Sequence, residues 1–279
     1  MRNYVLFLLG ALLVAVFTLT RGIRIRPDQP RGIVHAPLQV VAKSEVTMTS
    51  VPIFLYHHIR PYLPEMDATA KGLSVTPESF GEQMKYLAAN GYHTITLLQL
   101  YKYLNFHQPL PEKPVILTFD DGYQDFFTQA YPILKKYNLL ATVLIISGKL
   151  GTTDYLTWEQ ITELDVSGKV EITAHTMNHS KLTVIPIAEA KKEITGSKMA
   201  LEEHLKHSVD FFGYPYGKYN SEVVKEVKSA GFLGALTTHP GIVQEKAKLF
   251  EMKRVRLGNA DVGERLEKKL EIILGQAGK

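Results

Sequence analysis

From Val51 onward the chain alternates short apolar runs with amphipathic stretches of helical period, and this alternation narrows the available folds more than any other feature. The apolar runs cover residues 51–56, 115–119, 140–146, 170–174, 209–212 and 232–237. Helical patterns cover 77–90, 124–137, 158–164, 188–205 and 221–230. The first has Thr76 in the N-cap position, Pro77 in its first turn, Phe80, Met84, Leu87 and Ala88 on one face, and Gly91 just past its end. Thr157 and Gln160 have capping-box spacing at the third. A repeated strand-then-helix order predicts a parallel sheet, either open or closed into a barrel.

The first 50 residues differ in texture. Between Arg2 and Arg21 there is no charge and most residues are apolar, and the stretch ends Thr18-Leu19-Thr20 without a small-x-small cleavage pattern. Residues 1–20 are therefore expected to be an uncleaved membrane anchor in preference to a signal peptide. The expected location is the cell membrane with the rest of the chain outside the cytoplasm, secretion being the alternative. Arg21, Arg24, Arg26 and Arg31 follow the segment, an asymmetry opposite to the positive-inside tendency. Residues 21–50, with Pro27, Pro30 and Pro37 and no sustained period, read as a basic tether. Residues 51–279 then form the folded domain.

Charge and cysteine content exclude several classes. The net charge of +4 resides in the first 50 residues, where six basic residues face two acidic ones. The rest of the chain is formally neutral, so nothing points to nucleic acid. The chain has no cysteine, so a metal would have to be held by His, Asp or Glu.

In parallel α/β folds, reacting groups gather at the carboxyl ends of strands. Four strand ends here carry unusual residues: His57 and His58; Asp120, Asp121 and Gly122; His175 and His179; and the run Gly213-Tyr214-Pro215-Tyr216-Gly217. Two imidazoles and a carboxylate leave open positions on a divalent ion. An adjacent second aspartate suits a proton acceptor beside the water that such an ion activates. An Asp-Asp-Gly turn that merely caps the following helix accounts for the aspartates equally well. His204 and His207 sit among Glu202, Glu203 and Lys206 and read as a solvated helix face. Trp158, the only tryptophan, reads as core packing.

Thr118-Phe119-Asp120-Asp121-Gly122-Tyr123 resembles the first motif of the polysaccharide deacetylases (carbohydrate esterase family 4, with the NodB homology domain), and His175-Thr176-Met177-Asn178-His179 resembles the second. The resemblance spans roughly residues 51–257. It implies a distorted (β/α) barrel and metal-dependent removal of acetyl groups from N-acetylglucosamine units of a cell-wall or extracellular polysaccharide. By matching position, Asp120 would be the general base, and Asp121, His175 and His179 the metal ligands. Zinc is the first choice of ion; iron, cobalt and nickel suit the same ligands. Tyr216 would offer its backbone N–H to the developing oxyanion.

The third motif departs from the family pattern, because Gly213 stands where most members carry an arginine. With the first-strand run from Val51 to Ile59, this form resembles the branch that includes the poly-β-1,6-N-acetylglucosamine deacetylases. Arg254 is the candidate substitute for the missing arginine. For the proton donor to the leaving amine the candidates are His57 and His239. His239 lies in Leu236-Thr237-Thr238-His239, one residue longer than the family's Leu-x-His pattern. His58 should face away from the site. A non-catalytic, metal-containing glycan-binding protein on the same fold is the alternative from another class. A non-haem iron oxygenase, which also uses two His and a carboxylate, ranks lower because it has no use for a second aspartate.

Overall fold

The computed structural model describes residues 46–275. The expected strands form a closed ring of seven parallel strands: β1 (Ile53–Tyr56), β2 (Pro114–Phe119), β3 (Ala141–Ile145), β4 (Val170–Ala174), β5 (Phe211–Gly213), β6 (Gly234–Pro240) and β7 (Met252–Arg256). Each strand pairs with the next in sequence, and β7 returns to β1 through Val255↔Phe54. The distorted (β/α) barrel is therefore the observed fold, with β7 a strand that hydrophobic patterning did not reveal. Around it lie α1 (Pro77–Ala89), α2 (Leu97–Phe106), α3 (Tyr131–Lys136), α4 (Trp158–Val166), α5 (Ile187–Leu205), α6 (Ser221–Ser229) and α7 (Glu264–Gly275). The predicted helix at 124–137 opens as a π-helical turn, Phe126–Ala130, before α3. Pro132, lacking an N–H, cannot complete the α-helical ladder there.

Strand alternation sorts the side chains into two cores. One face of β1, Phe54 and Tyr56, packs outward against α1 through Phe80, Met84 and Leu87. The other, Ile53, joins Ile116, Leu144, Phe211, Leu236 and Met252 inside the barrel. Leu97, Leu100 and Leu104 of α2 belong to this inner cluster. A short strand, His93–Thr94, pairs at the start of β2 and leads straight into α2, so this helix seals the amino-terminal end of the barrel. The half-buried Glu171 carboxylate accepts the N–H groups of Leu97 (2.8 Å) and Leu98 (3.1 Å) and the Thr142 hydroxyl (2.9 Å). Those two amides are among the unpaired donors every helix start presents. With one end closed this way, the carboxyl end of the barrel is left for chemistry.

Met48–Ser50 pairs antiparallel with Val243–Glu245, which puts the last residues of the expected tether into the folded body. The apolar segment within residues 1–20 lies outside the described residues. Among the described residues no helix is long and apolar enough to cross a membrane.

Gln83 of α1 fastens the closing seam. Fully buried, it accepts the Tyr56 hydroxyl (2.9 Å) and donates to the carbonyls of Gly258 (2.9 Å) and Asp261 (3.0 Å), tying α1 to β1 and to the turn after β7. Gln83→Leu would strand three buried polar groups, each costing about 1–3 kcal/mol. Urea unfolding should show a loss of at least ~2 kcal/mol with the slope unchanged.

Candidate active site

The residues singled out at separate strand ends meet at the carboxyl end of the barrel. Asp120 and Asp121 directly follow β2, and His175 directly follows β4. All three are buried. His175 Nδ1 donates to the Gly213 carbonyl at 2.8 Å, and because a carbonyl only accepts, this fixes Nε2 toward Asp121. His175 Nε2 and His179 Nε2 lie 3.4 and 3.3 Å from the same oxygen, Asp121 Oδ1. That oxygen is buried and has no hydrogen-bond partner.

A buried carboxylate oxygen without a donor is rare, and here two imidazole nitrogens converge on it. The three candidate ligand atoms lie within 4.8 Å of one another. Two ligands about 2.1 Å from a tetrahedral ion stand about 3.4 Å apart. The donor set therefore fits a divalent cation, and the orphaned oxygen is what such an ion would satisfy. The electrostatics agree. Burial raises the Asp121 pKa, but the neighbouring imidazoles more than offset it and hold the carboxyl well below its ordinary range. His179 is pushed down to about 4, first by burial and then by His175, so it is neutral and able to ligate at neutral pH. Burial pulls His175 down, and the two aspartates beside it more than compensate, leaving it raised.

Asp120 has a different environment. Arg254, buried on β7, meets it with both ends of the guanidinium, Nη1 to Oδ1 at 2.6 Å and Nη2 to Oδ2 at 2.8 Å. Arg254 also donates to the Thr237 carbonyl (2.7 Å) and the Thr118 hydroxyl (3.1 Å). Burial alone would raise Asp120, but this ion pair holds it below the usual carboxylate range. His57 Nε2 lies 4.0 Å from Asp120 Oδ2, and burial lowers the His57 pKa.

The polysaccharide deacetylase family matches over residues 107–235. YxkH of Bacillus subtilis (strain 168), provisionally named a polysaccharide deacetylase, is 30% identical over 264 residues, covering 90% of this chain and 91% of that one. This chain is a member of the polysaccharide deacetylase family. A poly-β-1,6-N-acetyl-D-glucosamine N-deacetylase of Staphylococcus epidermidis is 28% identical over 225 residues, 73% of this chain and 78% of that one. Among solved structures, the Streptococcus pyogenes deacetylase PplD in complex with acetate superposes with a TM-score of 0.75 at 30% identity, covering 80% of this chain and 98% of that one.

This deacetylase handles the third-motif departure through packing. A Cβ on Gly213 would fall 2.1 Å from Leu144 Cδ2 and 2.9 Å from His175 Nδ1. The strand is thus pressed against a candidate metal ligand, with no room for an arginine, and Arg254 meets Asp120 from β7 instead. The segment carrying Tyr216 follows β5, with its backbone left-handed at φ 59° and its half-exposed ring 4.5 Å from the His179 ring. His239 is not brought to the aspartates: it is exposed, and its ring lies 5.6 Å from Tyr219. The irregular register between Leu236 and Pro240 turns this stretch away from regular pairing with β7. His58 turns to Asp125, with Nδ1 2.6 Å from its carboxylate, and its ring stacks 3.6 Å from Tyr123. Trp158 packs partly buried against the outer core, 4.6 Å from the His204 ring.

Sequence reasoning passed over Thr118, whose hydroxyl donates to the Phe54 carbonyl (2.6 Å) while accepting from Arg254. Strand alternation was the available signal, since Thr118 is two residues before Asp120.

Removing Arg254 should expose how the pair depends on pH. Arg254→Met leaves a buried, unpaired carboxylate and should cost about 3–5 kcal/mol near pH 7. In the wild type the lowered Asp120 pKa contributes stability above the ordinary carboxylate range, and this is lost as pH falls through the folded value. In the variant the carboxyl pKa is raised, so the stability gap between the two proteins should narrow on acidification. Urea denaturation from pH 7 to 4 measures that gap, and Asp120→Asn in the Arg254→Met background should remove most of the penalty at pH 7.

Proposed function

We propose that this polysaccharide deacetylase removes N-acetyl groups from N-acetylglucosamine units of a cell-wall or extracellular polysaccharide and depends on a divalent cation, zinc before iron, cobalt or nickel. The observation that carries the reading is the pairing of two differently equipped aspartates at one strand end. Asp121 faces two imidazoles with an unsatisfied oxygen, and Asp120 is held ionised by Arg254. A non-catalytic glycan-binding protein would have no need of the second arrangement. The relatives support the substrate class, since the S. epidermidis protein is named for poly-β-1,6-N-acetylglucosamine and the S. pyogenes structure holds acetate. Placement outside the cytoplasm, through the apolar segment within residues 1–20, belongs to the same proposal.

Asp121, His175 and His179 would hold the cation. A cation bound there supplies Lewis-acid polarisation of the acetyl carbonyl and makes water more acidic. The Asp120 carboxylate takes the proton from the attacking water, and Arg254 keeps it in the ionised state this requires. The Tyr216 N–H is offered to the oxygen on which charge develops as the carbonyl carbon becomes tetrahedral. Collapse then breaks the C–N bond, releasing acetate, and the amine nitrogen gains a proton. In this reading His57, 4.0 Å from Asp120 and with its pKa lowered by burial, passes that proton on. The exposure of His239, against Tyr219, is the reason for preferring His57.

Asp120→Asn removes the base without touching the three ligands. Acetate release from N-acetylglucosamine oligomers should fall about 10²- to 10⁴-fold while zinc affinity stays within a few-fold of wild type. Wild-type turnover in this variant would refute the assignment of the base.

A further inference from the structure

The two imidazoles of the site are the ends of a five-residue loop, 175–179, whose backbone is unfavourable on its own. Thr176 and His179 are both left-handed, at φ 64° and 59°. For a β-branched residue such as Thr176 that conformation is a genuine outlier, so contacts from outside the loop must impose it. Two sides of the loop are held by backbone groups and by the loop's own threonine. The amides of Ser147 and Gly148 donate to the carbonyls of Thr176 (3.1 Å) and Met177 (2.9 Å). Gly148 comes so close that a Cβ there would lie 2.6 Å from the Met177 carbonyl oxygen. Thr176 Oγ1 accepts the His179 N–H at 2.9 Å.

The remaining side is held by one charged residue. Glu193, on α5, accepts the N–H of Met177 (3.0 Å) and of Asn178 (2.9 Å) at Oε2, and the Asn178 side-chain amide (2.8 Å) at Oε1. Its carboxylate serves three donors from the residues between the two imidazoles. Two adjacent backbone N–H groups turned to one oxygen define the local backbone direction, and that direction sets where His179 leaves the loop. Bonds from neutral donors to an ionised acceptor are about twice as strong as neutral ones.

We propose that Glu193 is a positioning residue for the metal centre: by clamping the loop amides between His175 and His179 it holds the two imidazoles at the spacing the cation requires. The inference rests on the metal site of the proposed function. Supporting groups of this kind change metal affinity by about 10- to 100-fold when removed, because the ligands must then be organised at the moment of binding.

Zinc affinity of the metal-free full chain, measured by competition with a chromophoric chelator, tests it independently of turnover. Glu193→Ala, shown to be folded by circular dichroism, should bind zinc about 10- to 100-fold more weakly than wild type. Glu193→Gln keeps a carbonyl acceptor for the two backbone amides and should lose only about threefold to tenfold. Cobalt substitution should show the same order through the intensity of its visible absorption at fixed ion concentration. A folded Glu193→Ala that binds zinc within twofold of wild type would overturn the proposal. If that variant does not fold, Glu193→Gln with wild-type affinity overturns it equally. Wild-type protein that binds no zinc would instead refute the metal site itself, and with it the ground for this inference.

Discussion

The buried ion pair between Arg254 and Asp120 is the interaction on which the rest of the site depends. Arg254 belongs to the last strand of the barrel, and its guanidinium crosses the interior to reach the carboxylate after the second strand, touching Thr118 and the Thr237 carbonyl. A charge taken so far from water is tolerated only when its partner and its remaining hydrogen bonds are all in place. Ring closure supplies that condition, because β7 pairs with β1 on one side and β6 on the other. The arginine therefore makes an ionised Asp120, the state the proposed mechanism needs, depend on completion of the fold. With Gly213 pressed against Leu144 and His175, an arginine could not reach Asp120 from β5 without displacing a candidate metal ligand.

Beside that pair the chain keeps a second aspartate in the opposite condition. Asp120 has its hydrogen bonds filled by arginine, whereas Asp121 is left with a bare buried oxygen aimed at two imidazoles. Adjacent residues reach such different surroundings because Asp121 has a left-handed backbone, φ 77°, which turns it out of the strand geometry that Asp120 continues. Left-handed backbone recurs at Thr176, His179 and Tyr216. Each such residue costs about 1–3 kcal/mol and persists only where surrounding contacts hold it. Four such residues thus gather around the candidate site at the carboxyl end of the barrel, while α2 packs on the inner core at the opposite end.

Much of this was legible in the sequence, for physical reasons that differ between elements. Strands buried on both faces read as continuous apolar runs, so β1 to β4 were found within a few residues, and helices with clear caps, such as the one after Thr76, were found equally well. Two classes of feature were missed. Strand β7 carries Lys253, Arg254 and Arg256, and its charge hides it from an apolar pattern although its arginine is buried. Helix α2 opens on a capping box, Thr96 with Gln99, but its polar residues Gln99, Lys102 and Asn105 form only a narrow strip beside Leu97, Leu98, Leu100, Tyr101, Tyr103 and Leu104, so the segment reads as a mixed apolar run. At the site, the aspartates and histidines were visible because strand ends concentrate chemistry. The grip of Glu193 on the histidine loop was not, because it depends on how a distant helix lies against that loop.

The most direct test of the whole account is acetate release by the purified full chain from N-acetylglucosamine oligomers, β-1,6- and β-1,4-linked, before chelation, after chelation and after zinc is restored. The account predicts one free amine per acetate released, loss of activity on chelation and recovery with the ion. Oligomer binding without acetate release in any metal state, or release that chelation leaves untouched, would contradict it.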